Sequence, residues 1–332
     1  MNDMKNDRAL TEEDVPYDLT VVTVCWNALS LLPKCIDSVQ PLYEEKRLRV
    51  EYLLVDGAST DGTVAYLETQ LREGRITRYV SEPDNGLYDA MNKAISLAKG
   101  RVIVFINADD EICPAAVYAC CEPILQDRAD YVLSSAQLVD EEGMVINVRK
   151  PDEKLFLLVL PCCHQAAYCS ADLLRKMNGF AAERYRLAAD AELFARIYTS
   201  GARYEIVDVE SCRYFIGGLS ASSNTDKELV DIWCRNTHAV QKRCAEVSGY
   251  AVEVISMIHK LVRRCLRKGA SVSSDWQELM SAVAKCLSSQ ERRQIVSKWR
   301  RKHLLYTLLH LVFRNKRALL EAGLYKQAIS LL

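Results

Sequence analysis

The sequence predicts an α/β fold, with a mostly parallel central sheet flanked by helices and an α-helical C-terminal extension. Between Leu19 and Ile106, runs of aliphatic and β-branched residues alternate with segments of helical periodicity. This alternation is typical of parallel strands joined by right-handed helical crossovers. Beyond Lys227 the helical pattern continues to the end of the chain. We therefore expect a polar N-terminal tail over residues 1–17, an α/β domain over 18–220 and a helical extension with basic amphipathic segments over 221–332.

The elements follow from hydrophobic periodicity and from the residues that end each run. Continuous apolar runs are typical of strands covered on both faces, and apolar residues three and four apart are typical of helices. Strands are expected at Leu19–Cys25, Val50–Val55, Ile76–Val80, Val102–Ile106, Tyr131–Ser135, Met144–Val148 and His164–Cys169. Helices are expected at Leu31–Val39, Val64–Leu71, Leu87–Ala98, Ala115–Leu125, Leu173–Met177 and Ala189–Tyr198.

Composition places the chain among soluble globular proteins. Of its 332 residues 49% are hydrophobic and 26% are charged, which is ordinary for a packed domain. The 13 cysteines form no Cys-x-x-Cys pair, and the first ten residues have no apolar targeting core, so we expect reduced thiols and a cytoplasmic location. No apolar run is long enough to predict a membrane-spanning helix. The sequence does not indicate an oligomeric state.

The stretch VFINADDE carries a buried-type strand directly into acidic residues. These acids either end an exposed strand or bind a divalent cation, since Mg²⁺ and Mn²⁺ prefer carboxylate oxygens. In open parallel sheets, ligands bind beyond the carboxyl ends of the strands. Three polar clusters stand at such ends, and we expect them to converge on one crevice. They are Trp26–Asn27, Asp56–Asp61 and Asn107–Glu111.

Four motifs, in this order, carry a resemblance to a known family: TVVTVCWNA, LLVDGASTDGT, SEPDNGLYDAMNKAISLAKG and VFINADDE. Together they resemble the inverting, nucleotide-sugar-dependent glycosyltransferases of family 2, which have the Rossmann-like GT-A fold. The resemblance covers roughly Leu19 to Asp208 and is greatest to the non-processive transferases of bacterial surface-polysaccharide biosynthesis. The Q-x-x-R-W element of processive members is missing, which implies transfer of one sugar per encounter. A dinucleotide-binding domain is disfavoured, because CWNALS contains no glycine.

The resemblance implies a donor site and a metal. Asp109 of NADD would bind Mn²⁺ or Mg²⁺ that bridges the phosphates of the donor, for which a UDP-sugar is favoured. Asn107 replaces the acid of the commonest family pattern, so we expect weaker metal affinity. The residues implied to bind the nucleotide or donor are Trp26, Asn27, Asp56, Asp61, Asn85, Asn92, Lys93, Asn107, Ala108 and Asp109.

The resemblance also implies an acceptor side. Inverting transfer needs one general base to take the proton of the acceptor hydroxyl. In RYRLAADAELFARI this base would be Asp190. Asp110, His164 and Gln165 would contact the donor sugar or the acceptor, which we expect to be a lipid-linked or growing surface glycan.

Each motif also has a structural interpretation. Asp61 or Thr60 would cap a helix, and SEPDNG would form a turn before a helix. Lys93 would be solvated, His164 would pack in the core, and Asp190 would be a helix N-cap. Two other functional classes stay open: a non-catalytic nucleotide-sugar-binding or scaffold protein, and a nucleotidyltransferase.

The C-terminal third is strongly basic. Ile255 to Arg317 contains 15 Lys or Arg against 3 Asp or Glu. No nucleic-acid-binding module accompanies this charge, so nucleic acid is not expected as a partner. A basic amphipathic helix would lie on an anionic membrane, here the cytoplasmic face of the plasma membrane. Its apolar side would comprise Trp299, Leu304, Leu305, Leu308 and Phe313; the alternative is a helical bundle with a solvated basic face.

Overall fold

The computed structural model describes residues 17–157, 159–216, 223–247, 249–267, 275–313 and 316–331. The chain divides into two compact units. The first comprises Met1–Glu153 and Leu160–Gly217, and the second comprises Lys154–Val159 and Gly218–Leu332. The predicted tail over residues 1–17 lies outside the described residues except for Tyr17.

The first unit is built on one mixed sheet. In the described residues its nine strands run in the order β3-β2-β1-β4-β8-β6-β9-β5, with β7 paired to β6. They are β1 Tyr17–Cys25, β2 Val50–Asp56, β3 Arg78–Ser81, β4 Gly100–Phe105, β5 Glu111–Ile112, β6 Tyr131–Val139, β7 Val145–Arg149, β8 Ala167–Ser170 and β9 Tyr204–Phe215. The helices are α1 Leu32–Val39, α2 Thr63–Arg72, α3 Leu87–Leu97, α4 Pro114–Leu125, α5 Ala171–Lys176 and α6 Ala189–Thr199.

The sheet is parallel from β3 to β4 and mixed beyond that point. Strand β1 pairs in parallel with β2 and β4 on either side, in the register Cys25 to Asp56 and Val22 to Phe105. Strand β8 is antiparallel to both β4 and β6, between which it lies. The carboxyl ends of β1, β2 and β4 therefore meet at one edge, where the candidate site was predicted.

Most predicted elements are confirmed, with differences after Ile112. The predicted strand from His164 to Cys169 begins instead with a 3₁₀ turn, His164–Ala166, before β8. Strands β5 and β9 were not predicted. In β9, intermediate and exposed residues alternate over much of the strand, so it lacks the continuous apolar run of β1.

The cysteines of the described residues are free, and most of them are buried. They pack as small apolar side chains. Cys35 is 0% exposed, and burial raises the pKa of its thiol to about 11, so this thiol is not activated for nucleophilic chemistry.

The second unit is helical. Its helices are α7 Ser223–Arg235, α8 Thr237–Glu246, α9 Tyr250–Arg267, α10 Asp275–Ala284, α11 Ser289–Phe313 and α12 Lys316–Ser330. Among the described residues, no helix combines the length and the apolar character that crossing a membrane requires.

An aromatic cluster joins α9, α11 and α12. The Trp299 ring stacks on His259 with centroids 4.5 Å apart, and His259 lies 4.4 Å from the Tyr325 ring. Trp299 is only 6% exposed, because it fills the interior of the helical unit. The prediction that Trp299 belongs to a membrane-facing stripe is therefore wrong. Leu304 is 59% exposed, and the side chains of Leu305, Leu308 and Phe313 lie outside the described residues.

Candidate active site

The loops that follow β1 and β2 are joined by hydrogen bonds. The backbone N–H of Asn27 donates to Ser59 Oγ at 2.6 Å, and the N–H of Thr60 donates to Asn27 Oδ1 at 2.9 Å. The third predicted cluster follows β4, which pairs in parallel with β1, and the N–H of Ile106 donates to the Val22 carbonyl at 2.9 Å. The predicted convergence of the three polar clusters is confirmed.

Asp56 is fully buried and holds this region together. Its Oδ2 accepts hydrogen bonds from the Ser59 N–H at 2.9 Å and from Ser81 Oγ at 2.7 Å, and its Oδ1 accepts from Ser59 Oγ. The carboxylate thus fixes both the turn after β2 and the end of β3. Ser59 and Ser81 were not predicted as functional, although Ser59 follows β2 and Ser81 ends β3. The implied contact between Asp56 and the donor base stays a prediction.

Asp61 acts at the start of α2. Its Oδ1 accepts from the Thr63 N–H at 3.0 Å and from Thr63 Oγ1 at 2.6 Å, while Oδ2 accepts from the Leu29 N–H at 3.1 Å. The Thr63 side chain, followed by these backbone donors, holds the pKa of the Asp61 carboxyl below its usual value despite some opposing desolvation. The N-cap of α2 is Gly62, so the interpretation of Asp61 or Thr60 as the cap is wrong. The Asp61 carboxylate nevertheless accepts from the first helical N–H and ties α2 to the loop after β1.

Trp26 projects into solvent beside Gly57. It is 69% exposed. A Cβ atom on Gly57 would lie 2.6 Å from Asp84 Oδ2, so the Asp84 side chain would have to shift, and 3.4 Å from Trp26 Cδ1, which is an ordinary contact. The exposed indole ring offers a flat apolar surface to a ligand.

The SEPDNG motif forms the turn that opens α3. Asp84 Oδ1 accepts from the Gly86 N–H at 2.8 Å, and Asp89 Oδ2 accepts from the Asn85 N–H at 2.9 Å. Lys93 donates to the Pro83 carbonyl at 2.7 Å and pairs with Glu82 at 3.0 Å. Lys93 is therefore not a freely solvated side chain, and its implied contact with the donor stays a prediction.

Asn92 of α3 is hydrogen-bonded to the backbone of the segment that precedes α6. Its side-chain amide exchanges two hydrogen bonds with the backbone of Phe180, at 2.8 and 2.7 Å. Arg196 of α6 supports the same turn by donating to the carbonyls of Met177 and Gly179. These bonds position the segment before α6, a role that sequence analysis did not assign to either residue.

The NADD segment presents oxygen atoms in contrasting environments. Asn107 Oδ1 is buried with no hydrogen-bond partner among the described residues, and Ala108 is 8% exposed. Asp110 is 1% exposed; its Oδ1 accepts from the Phe215 N–H at 2.9 Å and its Oδ2 accepts from Gln165 Nε2. Burial, and then the negative charge of Asp109, raise the pKa of the Asp110 carboxyl to about 7.

Asp110 lies close to the three residues of the predicted acceptor side, which are His164, Gln165 and Asp190. Gln165 is 1% exposed, and its Oε1 has no hydrogen-bond partner among the described residues. His164 Nδ1 lies 3.5 Å from Asp190 Oδ2. Helix α6 begins at Ala189 with Ala188 as its N-cap, so the interpretation of Asp190 as an N-cap is wrong. Asp190 lies in the first turn, where the helix dipole favours negative charge.

A divalent cation fits the oxygen atoms of the NADD segment. The described residues contain no group of three or more His, Cys, Asp or Glu that would form a complete protein cage. Mg²⁺ typically takes only one or two carboxylates and completes its shell with phosphate and water. The Asp109 carboxylate matches that requirement, and the unpartnered Asn107 Oδ1 belongs to the same segment.

The chain is similar in sequence to known glycosyltransferases. Residues 20–165 match the sequence model of glycosyl transferase family 2. An uncharacterized glycosyltransferase, Rv1514c of Mycobacterium tuberculosis, is 30% identical over 184 residues, covering 54% of this chain and 68% of the relative. A PGL/p-HBAD biosynthesis glycosyltransferase of Mycobacterium bovis is 29% identical over 219 residues, covering 64% of this chain and 82% of the relative.

Solved structures show the same fold. TarS 1-349 of S. aureus in complex with UDP-GlcNAc superposes with a TM-score of 0.56 at 14% identity, covering 94% of this chain and 90% of that one. The mannosyltransferase PcManGT from Pyrobaculum calidifontis, in complex with GDP-Man and Mn2+, gives a TM-score of 0.50 at 16% identity, covering 95% and 86%. The predicted GT-A fold with a helical C-terminal region is confirmed.

Proposed function

Because the chain belongs to glycosyl transferase family 2, we propose that it moves one sugar from a nucleoside diphosphate sugar to a hydroxyl acceptor, with inversion. The observation that carries this proposal is the grouping of Asp109, Asp110 and the His164–Asp190 pair beyond the carboxyl ends of the strands. A hexosyl or N-acetylhexosaminyl group is the proposed cargo.

The donor would lie over the loops after β1 and β2. The exposed Trp26 ring offers a stacking surface for a base, and the Asn27 side chain lies beside it. Structural relatives bind UDP-GlcNAc and GDP-Man, which supports a nucleotide sugar as donor and leaves the UDP-sugar as our proposal.

Mn²⁺ or Mg²⁺ would be held by Asp109, with Asn107 Oδ1 as a neighbouring oxygen. Such an ion supplies positive charge that stabilises the departing diphosphate. Asp110 would not be a second ligand, because both of its oxygens already accept hydrogen bonds from Phe215 and Gln165.

The transfer would be a direct displacement at the anomeric carbon. The acceptor oxygen forms a bond to that carbon as the bond to the diphosphate breaks, and the acceptor proton passes to a carboxylate oxygen of Asp190. The nucleoside diphosphate leaves with the electron pair. One carboxylate suffices, unlike the pair that a glycoside hydrolase needs. Gln165 Oε1, buried and unpartnered, would accept a hydrogen bond from a sugar hydroxyl.

The acceptor would be a lipid-linked or growing surface glycan, presented at an anionic membrane. The names of relatives that act in PGL/p-HBAD biosynthesis support this class of acceptor. Five cationic residues of α11 are exposed and have no ion pair among the described residues, which supports electrostatic attachment without Trp299. They are Arg293, Lys298, Arg300, Arg301 and Lys302.

Thermal unfolding with nucleotides tests the proposal. We expect one of UDP, GDP, CDP, dTDP and ADP to raise the Tm only with Mn²⁺, because ligands that bind only the folded state stabilise it, by about 2.7 kcal/mol at a hundredfold excess over Kd. Asp109→Ala should abolish this shift, while Asp172→Ala, at an exposed acid of α5, should keep it.

Three results would contradict the proposal. No shift with any diphosphate would argue against a nucleotide-sugar site. A shift without turnover of any nucleotide sugar would favour the non-catalytic binding protein, which the uncharged Asn107 supports. Release of pyrophosphate from a nucleoside triphosphate would instead indicate a nucleotidyltransferase.

A further inference from the structure

Next to the candidate base, Asp190, lies a histidine, His164, whose contacts do not by themselves assign it a role. His164 lies in the 3₁₀ turn before β8, and Asp190 lies in the first turn of α6. Their facing atoms, Nδ1 and Oδ2, are 3.5 Å apart, and the two side chains are 15% and 17% exposed. Two separate elements therefore bring an imidazole against the carboxylate at a site where both are largely shielded from water.

The two oxygens of Asp190 differ in their partners. Oδ1 accepts from the N–H of Ala191 at 2.8 Å, so this oxygen is tied to the helix. Oδ2 faces His164. A carboxylate held at only one oxygen can still rotate about its last bond, and a contact from His164 to the other oxygen would remove this freedom.

The second ring nitrogen of His164 decides which proton arrangement fits. Nε2 is buried and has no hydrogen-bond partner among the described residues. With the proton on Nδ1, the ring donates towards Asp190 and Nε2 is left as an acceptor. With the proton on Nε2, a donor would be buried without a partner, and a lone pair would face the carboxylate. The first arrangement is favoured, because Nε2 lacks a partner in both arrangements and only this one directs an N–H, rather than a lone pair, towards the carboxylate.

Among the described residues, Asp190 is the acid with which His164 pairs. The neighbouring Gln165 donates to Asp110, whose negative charge also acts on His164. The adjacent Cys163 thiol is buried, and burial raises its pKa, so it stays protonated. Asp190 is thus the carboxylate that the Nδ1 side of the ring faces directly.

We propose that His164 is a positioning residue, which donates from Nδ1 to fix the carboxylate of Asp190 in the orientation that meets the acceptor hydroxyl. This inference rests on the proposed role of Asp190 as the general base. It differs from a proton relay, in which Nε2 would take the proton from the acceptor. Substitution of the ring distinguishes the two roles, because only a relay needs the imidazole itself.

Two variants of His164 separate positioning from relay. In His164→Asn, the side-chain amide can place an N–H near the position of Nδ1, whereas His164→Leu has no donor. The readout is release of UDP from UDP-glucose and UDP-N-acetylglucosamine with Mn²⁺, with water as the acceptor. We expect His164→Leu to lower kcat on the order of 10- to 100-fold with little change in the donor KM, because small misplacement of a catalytic group is costly.

His164→Asn should recover most of the lost kcat. If the Asn variant is as inactive as the Leu variant, the imidazole itself handles the proton and the positioning role is overturned. Unchanged kcat in His164→Leu would overturn it as well, since the orientation of Asp190 would then not depend on the ring.

A second measurement does not require turnover. Urea unfolding of His164→Leu, Asp190→Ala and the double variant gives the coupling between the two side chains. We expect the combined effect on the unfolding equilibrium constant to differ from the product of the single effects by at least about threefold. The pair His164→Leu and Asp172→Ala, which are not in contact, should show no coupling.

The two measurements distinguish failure of this inference from failure of the proposed function. If the two side chains are coupled in a protein that turns over no nucleotide sugar, the pairing of His164 with Asp190 is supported and the proposed sugar transfer is contradicted. Loss of coupling would overturn the inference even in an active enzyme.

Discussion

Individual carboxylates around the candidate site differ in environment, and the environment limits what each can do. Asp56 is buried with both oxygens bonded to serines, whereas Asp61 is exposed and caps a turn. Asp110 is buried beside Asp109, and its pKa is raised to about 7, first by burial and then by that charge. Asp109 and Asp190 are partly exposed and are the two carboxylates to which we assign chemistry. Side-chain surroundings, more than residue type, therefore separate structural from chemical roles.

The first prediction concerns Asp190. Asp190→Asn should fold and should bind the donor nucleotide with unchanged affinity, because the amide keeps the size of the side chain and can still accept from Ala191. Its kcat should fall by about 100-fold or more, since an amide cannot take the acceptor proton. Nucleotide-dependent Tm shifts and product release measure the two effects separately. The matched control is Asp172→Asn, also an acid in the first turn of a helix, and full activity of Asp190→Asn would contradict the assignment.

The positions of the candidate-site residues in the fold could be predicted from the sequence, but their side-chain contacts could not. The NADD and DGASTDGT motifs follow strands of strong apolar character, so their place at the sheet edge was predictable. The pairing of His164 with Asp190 was not, because it joins elements whose relative placement depends on tertiary packing. For the same reason Asn92, implied to bind the donor, was not predicted to bond to the backbone of Phe180.

At the level of elements, the early strands were predictable and the later ones were not. Strand β1 is buried along nearly its whole length, so its sequence is a continuous apolar run. Strand β9 has intermediate and exposed positions over most of its length, and β5 spans only two residues, so neither gives a clear periodic signal. The 3₁₀ turn at His164 interrupts what reads as one strand, since the turn is set by local backbone geometry that hydrophobic periodicity does not report.

A prediction for α9 concerns pH. His259 is 6% exposed, and burial, followed by the charge of Arg263, lowers its pKa to about 3. Between that value and about 6.5 the unfolded chain binds a proton that the folded helix does not, so stability is lost as pH falls through this window. The slope is at most about 1.4 kcal/mol per pH unit.

His259→Phe should remove this pH dependence while keeping the aromatic stack with Trp299 and Tyr325. Urea unfolding followed by the far-UV circular dichroism of the helices, at about pH 7.5 and about pH 5, measures the difference. As a control, His238→Phe on α8 keeps the buried His259 and should retain the wild-type pH dependence. An equal loss of stability in His259→Phe and wild type on acidification would contradict the prediction.

For the whole molecule, charge is divided along the chain. The formal net charge is −1, yet Ile255 to Arg317 alone carries 15 positive and 3 negative side chains, a net of +12, so the rest sums to −13. An anionic surface would attract the C-terminal region and repel the remainder. Such a surface would therefore bind the protein in a preferred orientation.

Removal of charge from α11 tests this attachment. Arg293→Gln, Arg300→Gln and Arg301→Gln together should lower binding to vesicles containing phosphatidylglycerol by roughly 100-fold, at about 1 kcal/mol per cation. Co-sedimentation at low and high salt is the measurement, and pure phosphatidylcholine vesicles should bind neither protein. The control replaces three exposed lysines of the first unit, Lys34, Lys46 and Lys176, by Gln. Equal loss in both triple variants, or binding to pure phosphatidylcholine, would contradict a specific role for α11.

The position of β8 has a consequence for the folding of the nascent chain on the ribosome. Strand β8 fills the centre of the sheet between β4 and β6, yet it is made after both of them. Until Ala167–Ser170 has emerged, the nascent chain carries the apolar strand β4 with one edge unpaired, and such edges recruit other chains. Synthesis speed between β4 and β8, and chaperones that shield an open edge, would then govern how much of the protein reaches its native state.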